Sequence, residues 1–354
     1  MLWGNTVFWA IIVLGALIFV HELGHFLVAK RLRIGVEKFS LGFGPPLWAF
    51  RRGETQYQVA AVPLGGYVKL MGEDPEQEVE VPEKSFSLRP VRERLAVVLA
   101  GPLFNIFFAV LLFWVLNMVG VPTLGTTILR TEPGSPAEAA GLKEGDKIIA
   151  IDAEAVETWE EMAAIIRRSG GRNLNFLVLR QGRELSFTIV PRMTSRRDLF
   201  GEMREVPLIG VIAGRELILK RAGPVRALGR GFLQSYQMVR LTVTAIWKIL
   251  NRTLSTQTLG GPLLIAKMAG ESAQRGLLYL VSFVALLSIN LGIINLFPIP
   301  ILDGGHLIFL AIEAVAGRPL SVRKREMAQQ IGLMVIVSLM FFVFYNDIIR
   351  IFLR

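Results

Sequence analysis

A polar pentad, HELGH, lies at residues 21–25 inside an apolar stretch that begins near Phe8. On a helix, His21 and His25 project from one face, so both imidazoles can bind one cation while Glu22 points beside them toward a metal-bound water. Polar groups at membrane depth are costly unless they serve a site. The pentad therefore predicts a zinc site within a membrane-spanning helix. The alternative is a chance pair of histidines near a helix end.

The rest of the chain is also suited to a bilayer. Hydrophobic residues make up 52% of it, and about 20 apolar residues are enough to cross the hydrocarbon as a helix. Four spans are predicted: the stretch that carries the pentad, residues 95–119, residues 277–297, and residues 331–345 with their flanks. The expected fold class is a polytopic α-helical membrane protein with four transmembrane helices.

A fifth apolar segment, residues 225–250, is interrupted by basic side chains, namely Arg226, Arg230, Arg240 and Lys248. Its apolar residues recur at the spacing of a helix. A helix that is apolar on one face and basic on the other favours the boundary between lipid and water. We therefore interpret this segment as an amphipathic helix in the membrane interface.

The net charge of +10 is explained by the membrane, because the basic residues flank the apolar spans. We expect the lipid bilayer as a partner and no nucleic acid. Positive charge concentrates in residues 30–94 and 318–325, which the positive-inside rule places in the cytoplasm. The N-terminus and residues 121–276 are then predicted to be extracytoplasmic. The first apolar stretch is too long for a cleavable signal peptide.

The first and last regions of the chain are predicted to hold the spans. Residues 1–120 contain the first two spans, the pentad and a cytoplasmic or re-entrant β-hairpin associated with the membrane. In that hairpin, strands at residues 56–61 and 66–70 are expected to flank a turn at residues 63–65. Residues 277–354 contain the last two spans and an LDG motif.

Between these regions the composition becomes that of a soluble protein. Residues 121–200 show short strands and two helices, each helix stopped by glycine. The order of these elements resembles an inserted α+β PDZ domain, and one such domain is expected. Residues 201–276 are predicted to add an extracytoplasmic strand before the interfacial helix.

A catalytic zinc site needs a third protein donor. The chain has no cysteine, so the donor must be His, Asp or Glu. Asp303 is the favoured candidate, because it follows the third span at the membrane side where the first span carries the pentad, and because Gly304 and Gly305 leave its carboxylate free to turn inward. His306 is the competing donor. Asp303 could instead only cap the next helix.

Several motifs occur in the order known from one family: HELGH, FSLGFG, PLGGYVKL, AGPLFN, a PDZ-like insert and NLFPIPILDGGH. The chain resembles the site-2 protease family of intramembrane zinc metalloproteases, of the bacterial RseP type. This resemblance implies His21, His25 and Asp303 as Zn²⁺ ligands, Glu22 as the general base and Asn295 as a contact to the substrate backbone. Members often carry two PDZ domains, whereas one is expected here.

The function that we expect is hydrolysis of peptide bonds within transmembrane segments of single-span proteins. The resemblance implies anti-sigma factors or remnant signal peptides as substrates, and the bacterial inner membrane as the location. A rival hypothesis is a non-catalytic scaffold that binds exported proteins through the PDZ-like domain. A metal transporter is disfavoured, because the metal donors cluster at one end of the spans. Asn295 could instead only cap the break after the third span.

Overall fold

The computed structural model describes residues 2–73, 81–198, 200–256 and 260–352. Among these residues, four helices are long and apolar enough to cross a membrane. They are α1 (Leu2–Arg31), α2 (Val91–Val119), α7 (Leu277–Asn295) and α9 (Val322–Phe352). The predicted fold class is confirmed, although α9 begins well before residue 331.

Further helices and twelve strands lie in the rest of the described chain. The helices are a 3-10 turn (Pro82–Lys84), α3 (Pro136–Ala139), α4 (Trp159–Arg168), α5 (Pro224–Leu250), α6 (Pro262–Arg275) and α8 (Asp303–Ala316). The strands are β1 (Val36–Arg52), β2 (Thr55–Leu70), β3 (Val121–Leu124), β4 (Ile128–Thr131), β5 (Lys147–Ile151), β6 (Glu154–Ala155), β7 (Leu174–Arg180), β8 (Arg183–Ile189), β9 (Arg192–Arg197), β10 (Met203–Leu208), β11 (Val211–Ala213) and β12 (Leu217–Lys220).

The chain forms two compact units. One consists of Met1–Leu116 with Pro224–Arg354, and the other is Asn117–Gly223. The boundary predicted at residue 200 divides the second unit, because the later strands pair back to earlier ones: β10 with β9, β11 with β4 and β12 with β3. These strands are three to six residues long, too short for their pairing to be read from sequence.

The second unit is the PDZ-like domain. Its main sheet has the strand order β6-β5-β7-β8, and α4 begins at a capping box formed by Thr158 and Glu161. Fully buried apolar side chains of the sheet, including Phe176 and Val178, pack with Met162 of α4 in one core. The apolar residues that alternate along the strands in 121–200 are those that face this core.

The β-hairpin of the first unit is present, but other segments form it. β1 and β2 join at Gly53 and Glu54, since Arg52 pairs with Thr55. Residues 38–41 have partners on both sides, in 56–59 and in 66–69. The predicted pairing of 56–61 with 66–70 is therefore wrong, because residues 38–41 lie between them. Buried polar groups fix this arrangement: the amide of Gln58 donates to Ser40 Oγ at 3.0 Å.

Glycines let the spans approach closely. A Cβ on Gly24 of α1 would lie 2.5 Å from the Ala100 carbonyl oxygen of α2. On α7, a Cβ on Gly292 would lie 2.8 Å from the Pro102 carbonyl oxygen. α2 thus contacts both α1 and α7 at nearly the same level. Small residues at helix interfaces in membranes allow such close approach of the backbones.

The predicted amphipathic segment is the helix α5. Its Gly231 packs against the backbone of α2, where an added Cβ would lie 2.9 Å from Trp114 N. Farther along, Thr242 donates a hydrogen bond to Asn290 Oδ1 of α7 at 2.8 Å. One face of α5 therefore packs on two spans, while Phe232 and Trp247 are exposed.

The buried Asp146 in the PDZ-like domain generates a stability prediction. Its carboxylate accepts from Arg180 Nε at 2.7 Å and from the Lys143 backbone N–H at 2.8 Å. Burial alone would raise the pKa of Asp146, but these donors outweigh it and lower the pKa. The contribution of ionised Asp146 to folding stability is therefore complete above the unfolded pKa of about 4. It is lost as the pH falls through the lower pKa of the folded state.

At pH 7, Asp146→Asn should reduce the hydrogen-exchange protection of β5 and β7 in the full-length protein by about 2 kcal/mol, the typical strength of hydrogen bonds to a charged group. The difference in hydrogen-exchange protection between wild type and Asp146→Asn should become smaller in acid, where Asp146 is protonated. Glu154→Gln is the control, because its pair with Arg168 is exposed and 3.6 Å long. Equal losses in both variants would contradict a specific role for Asp146.

Candidate metal centre

Two imidazoles on one face of α1 point at the same place. Nε2 of His21 and Nε2 of His25 are 3.3 Å apart, as the spacing of one helical turn predicts. His21 is buried, with 7% of its surface exposed. The sequence-predicted pair of histidines is thus brought together within the first unit.

Asp303, at the first position of α8, faces both rings. Its Oδ2 lies 3.1 Å from Nε2 of His21 and 3.6 Å from Nε2 of His25. The chain can turn this sharply because Gly304 and Gly305 pack directly on the preceding loop, where an added Cβ would overlap backbone atoms of residues 296–300. Leu302 is the N-cap of α8 and makes no side-chain cap bond. Asp303 therefore contacts the imidazoles rather than capping the helix.

The competing donor His306 is outside this group. Among the described residues, His21, His25 and Asp303 are the donors whose atoms lie within 4.8 Å of one another. His306 instead lines a cavity of about 320 Å³ with Arg94, Glu313 and other residues. Burial lowers the pKa of His306, so its ring is neutral at pH 7.

The three donors fit a tetrahedral zinc ion. Zinc bonds of about 2.1 Å in a regular tetrahedron place neighbouring donors about 3.4 Å apart, and the observed separations are 3.3, 3.1 and 3.6 Å. Asp303 Oδ2 is buried and has no hydrogen-bond partner among the described residues.

Groups on α2 orient the second ring. Nδ1 of His25 lies 2.8 Å from the Val97 carbonyl oxygen, which requires a proton on Nδ1 and leaves Nε2 with its lone pair. Gly101 faces the same space, and a Cβ there would lie 2.8 Å from Cε1 of His21 and still closer to the ring of His25. The AGP sequence of α2 therefore leaves room for the two imidazoles.

Glu22 lies beside the donor group and next to the hairpin. The backbone N–H of Val68 in β2 donates to the Glu22 carboxylate. A Cβ on Gly66 would lie 2.9 Å from the Ser40 carbonyl oxygen and 3.3 Å from Cγ of Glu22, so strand and helix pack closely at this glycine. Strand 66–70 therefore runs directly past the predicted general base.

Asn295, at the end of α7, is also at the site. Its Nδ2 lies 3.4 Å from Nδ1 and 3.3 Å from Nε2 of His21. The side chain is thus close to the donor atoms. The C-cap of α7 is the next residue, Leu296. In the sequence, the AGPLFN motif interrupts the second span, and its small residues and its asparagine are compatible either with close helix packing or with a polar site. Val97 carries no such signal.

Fold and site together define a membrane-embedded zinc peptidase, and comparison with known proteins agrees. The model of peptidase family M50 matches residues 9–339. A putative zinc metalloprotease of Mesorhizobium japonicum is 37% identical over 95% of this chain and 96% of its own. Zinc metalloprotease RasP of Geobacillus kaustophilus is 33% identical over 97% of both chains. The regulator of sigma-E protease RseP of Escherichia coli is 31% identical over 96% of this chain and 97% of its own.

The chain therefore belongs to peptidase family M50, the site-2 proteases, and is a zinc metalloendopeptidase with Zn²⁺ as its cofactor. The expected family, enzyme class and cofactor are confirmed. Among solved structures, the chain is similar to the PDZ domain of an SdrC-like protein from Listeria innocua, at 22% identity and a TM-score of 0.21, with 26% of this chain and 96% of that chain covered.

The space at Gly101 generates a second prediction. Gly101→Ala should displace the imidazoles, and purified protein should then hold much less zinc than the wild type when measured by elemental analysis. Gly15→Ala is the matched control, because a Cβ on Gly15 meets no atom within 4 Å. Full zinc content in Gly101→Ala would show that the rings do not depend on this gap.

Proposed function

We propose that His21, His25 and Asp303 hold the zinc ion and that the protein hydrolyses peptide bonds within transmembrane segments. The observation that carries this proposal is the set of three donor separations, which match three corners of a zinc tetrahedron. Three protein ligands with a fourth position open are typical of catalytic rather than structural zinc. Zinc in such a site acts as a Lewis acid toward water and the peptide carbonyl.

Glu22 is proposed as the general base. Its carboxylate lies near both histidines and contacts the backbone of Val68, and this position supports a role toward a water bound at the metal site. Glu22 accepts a proton from that water and later passes it to the leaving amine.

Asn295 is proposed to bind the substrate. Its amide lies within 3.4 Å of both ring nitrogens of His21, and so it can donate to a peptide carbonyl positioned at the zinc site. A donor aimed at that oxygen stabilises the negative charge that develops there.

A transmembrane substrate must be unwound before it can be cleaved, since helical amides are closed in internal hydrogen bonds. We propose that strand 66–70 holds the unwound segment by adding it as a further strand. This strand pairs with residues 38–41 on one side, and no other described strand pairs with it on the side that faces Glu22. A substrate strand bound there would pass beside the general base.

The proposed substrates are single-span membrane proteins, such as anti-sigma factors or remnant signal peptides. The name of the Escherichia coli relative, regulator of sigma-E protease, supports the first of these classes. The proposed location is the bacterial inner membrane, with the N-terminus and the PDZ-like domain outside the cytoplasm. The basic segments that flank the spans support this orientation.

The proposed roles of Glu22 and Asp303 predict different defects. Glu22→Gln should keep its zinc but cleave a model single-span substrate about 10²- to 10⁴-fold more slowly, the usual contribution of a general base. Asp303→Ala should lose zinc and activity together, since two imidazoles alone remain. Zinc content and cleavage rate are measured on the same purified samples. Cleavage by Glu22→Gln at the wild-type rate would reject the assignment of the base.

Strand addition predicts a loss of cleavage without a loss of zinc. Val68→Pro removes a backbone N–H beside Glu22 and should reduce cleavage, while zinc content stays normal because no donor is touched. Leu47→Pro is the control at the far side of the hairpin, where Leu47 is 73% exposed. If Val68→Pro lost its zinc, the strand would be serving the metal site instead of the substrate.

A further inference from the structure

Asn105 of α2 is a buried polar residue that the proposed mechanism does not use. It is completely inaccessible to solvent, and its Nδ2 lies 3.3 Å from Nδ1 of His21. Its Oδ1 is buried without a hydrogen-bond partner among the described residues. Ser288 of α7 donates to the backbone carbonyl of Asn105 at 2.7 Å. A polar connection thus runs from α7 through α2 to the ring of His21 on α1.

The chemistry of His21 determines what Asn105 must do. A neutral imidazole that binds a metal through Nε2 carries its proton on Nδ1. That N–H is buried, and a buried donor without an acceptor costs about 1–3 kcal/mol. The two ends of a carboxamide have nearly the same shape. With its oxygen turned toward the ring, Asn105 accepts the Nδ1 proton, and the partnerless Oδ1 gains a donor.

Asn295 is the other amide near this ring, and its position is different. Its Nδ2 lies almost equally far from Nδ1 and Nε2, at 3.4 and 3.3 Å, so it is not directed at Nδ1. The amide of Asn105 contacts Nδ1. The two asparagines therefore have separate positions. Asn105 contacts Nδ1, which carries the ring proton, and Asn295 lies at the side of the ring where the donors converge.

We propose that Asn105 is a positioning residue that holds His21 in the tautomer and orientation that bind zinc, with Ser288 fixing the segment of α2 that carries it. The inference rests on the proposed role of His21 as a zinc ligand. Asn105 does for His21 what the Val97 carbonyl does for His25. Each imidazole then has one oxygen acceptor supplied by α2.

Zinc affinity of the purified full-length protein tests the inference. Loss of a group that orients a metal-binding imidazole typically weakens metal binding about 10- to 100-fold, and a fluorescent zinc chelator in competition measures such a change. Asn105→Ala and Asn105→Leu should both show it, the leucine variant filling the same buried space without an acceptor. Asn105→Asp should restore affinity, since a carboxylate also accepts from Nδ1. Asn290→Ala is the matched control, because Asn290 bonds to Thr242 and not to His21.

A spectroscopic measurement separates positioning from a general effect on folding. The chain has three histidines, so ¹⁵N-histidine labelling gives few ring signals. Asn105→Asp should shift the Nδ1 signal of His21 and leave that of His25 in place, while Asn290→Ala should shift neither. The inference is overturned if the leucine variant binds zinc as tightly as the wild type, or if the aspartate variant binds as weakly as the leucine variant. Wild-type protein without zinc would instead reject the proposed function.

Discussion

The structure depends on the meeting of two imidazoles and one carboxylate at a single point inside the membrane unit. His21 and His25 come from α1, and Asp303 comes from the start of α8, nearly 280 residues later in the chain. Exposing these polar groups to lipid would be costly, so each must be enclosed by protein. The enclosure is provided by α2, which approaches α1 at Gly24 and α7 at Gly292. The same helix supplies the Val97 carbonyl and the Asn105 amide to the rings.

Peptide hydrolysis in a bilayer poses two further problems, and the roles proposed for adjacent parts of one unit address both. The substrate must be held extended, and the proposed binding edge is strand 66–70, which lies against Glu22. Charge must also be tolerated where the medium is apolar, and Asn295 and Asn105 place neutral amides around His21 rather than further ions. The three converging donors and strand 66–70 thus lie next to the same carboxylate.

The meeting of His21, His25 and Asp303 could be predicted from sequence because each step rested on a simple geometric rule. A spacing of four residues fixes the face shared by His21 and His25, and the number of intervening spans fixes the side on which Asp303 emerges. The hairpin could not be predicted, because residues 38–41 have partners on both sides and sequence does not show which strand lies in the middle. The end of the PDZ-like unit was missed for a related reason: β11 and β12 pair with strands some 80 to 100 residues earlier.

X-ray absorption at the zinc edge of the purified wild-type protein tests the central claim most directly. The account predicts four-coordinate zinc with two imidazole nitrogens and oxygen donors, all at about 2.0–2.2 Å. His25→Ala keeps only two of the three protein donors and should hold much less zinc than the wild type. A six-coordinate oxygen shell in the wild type, or full zinc content in His25→Ala, would contradict the account.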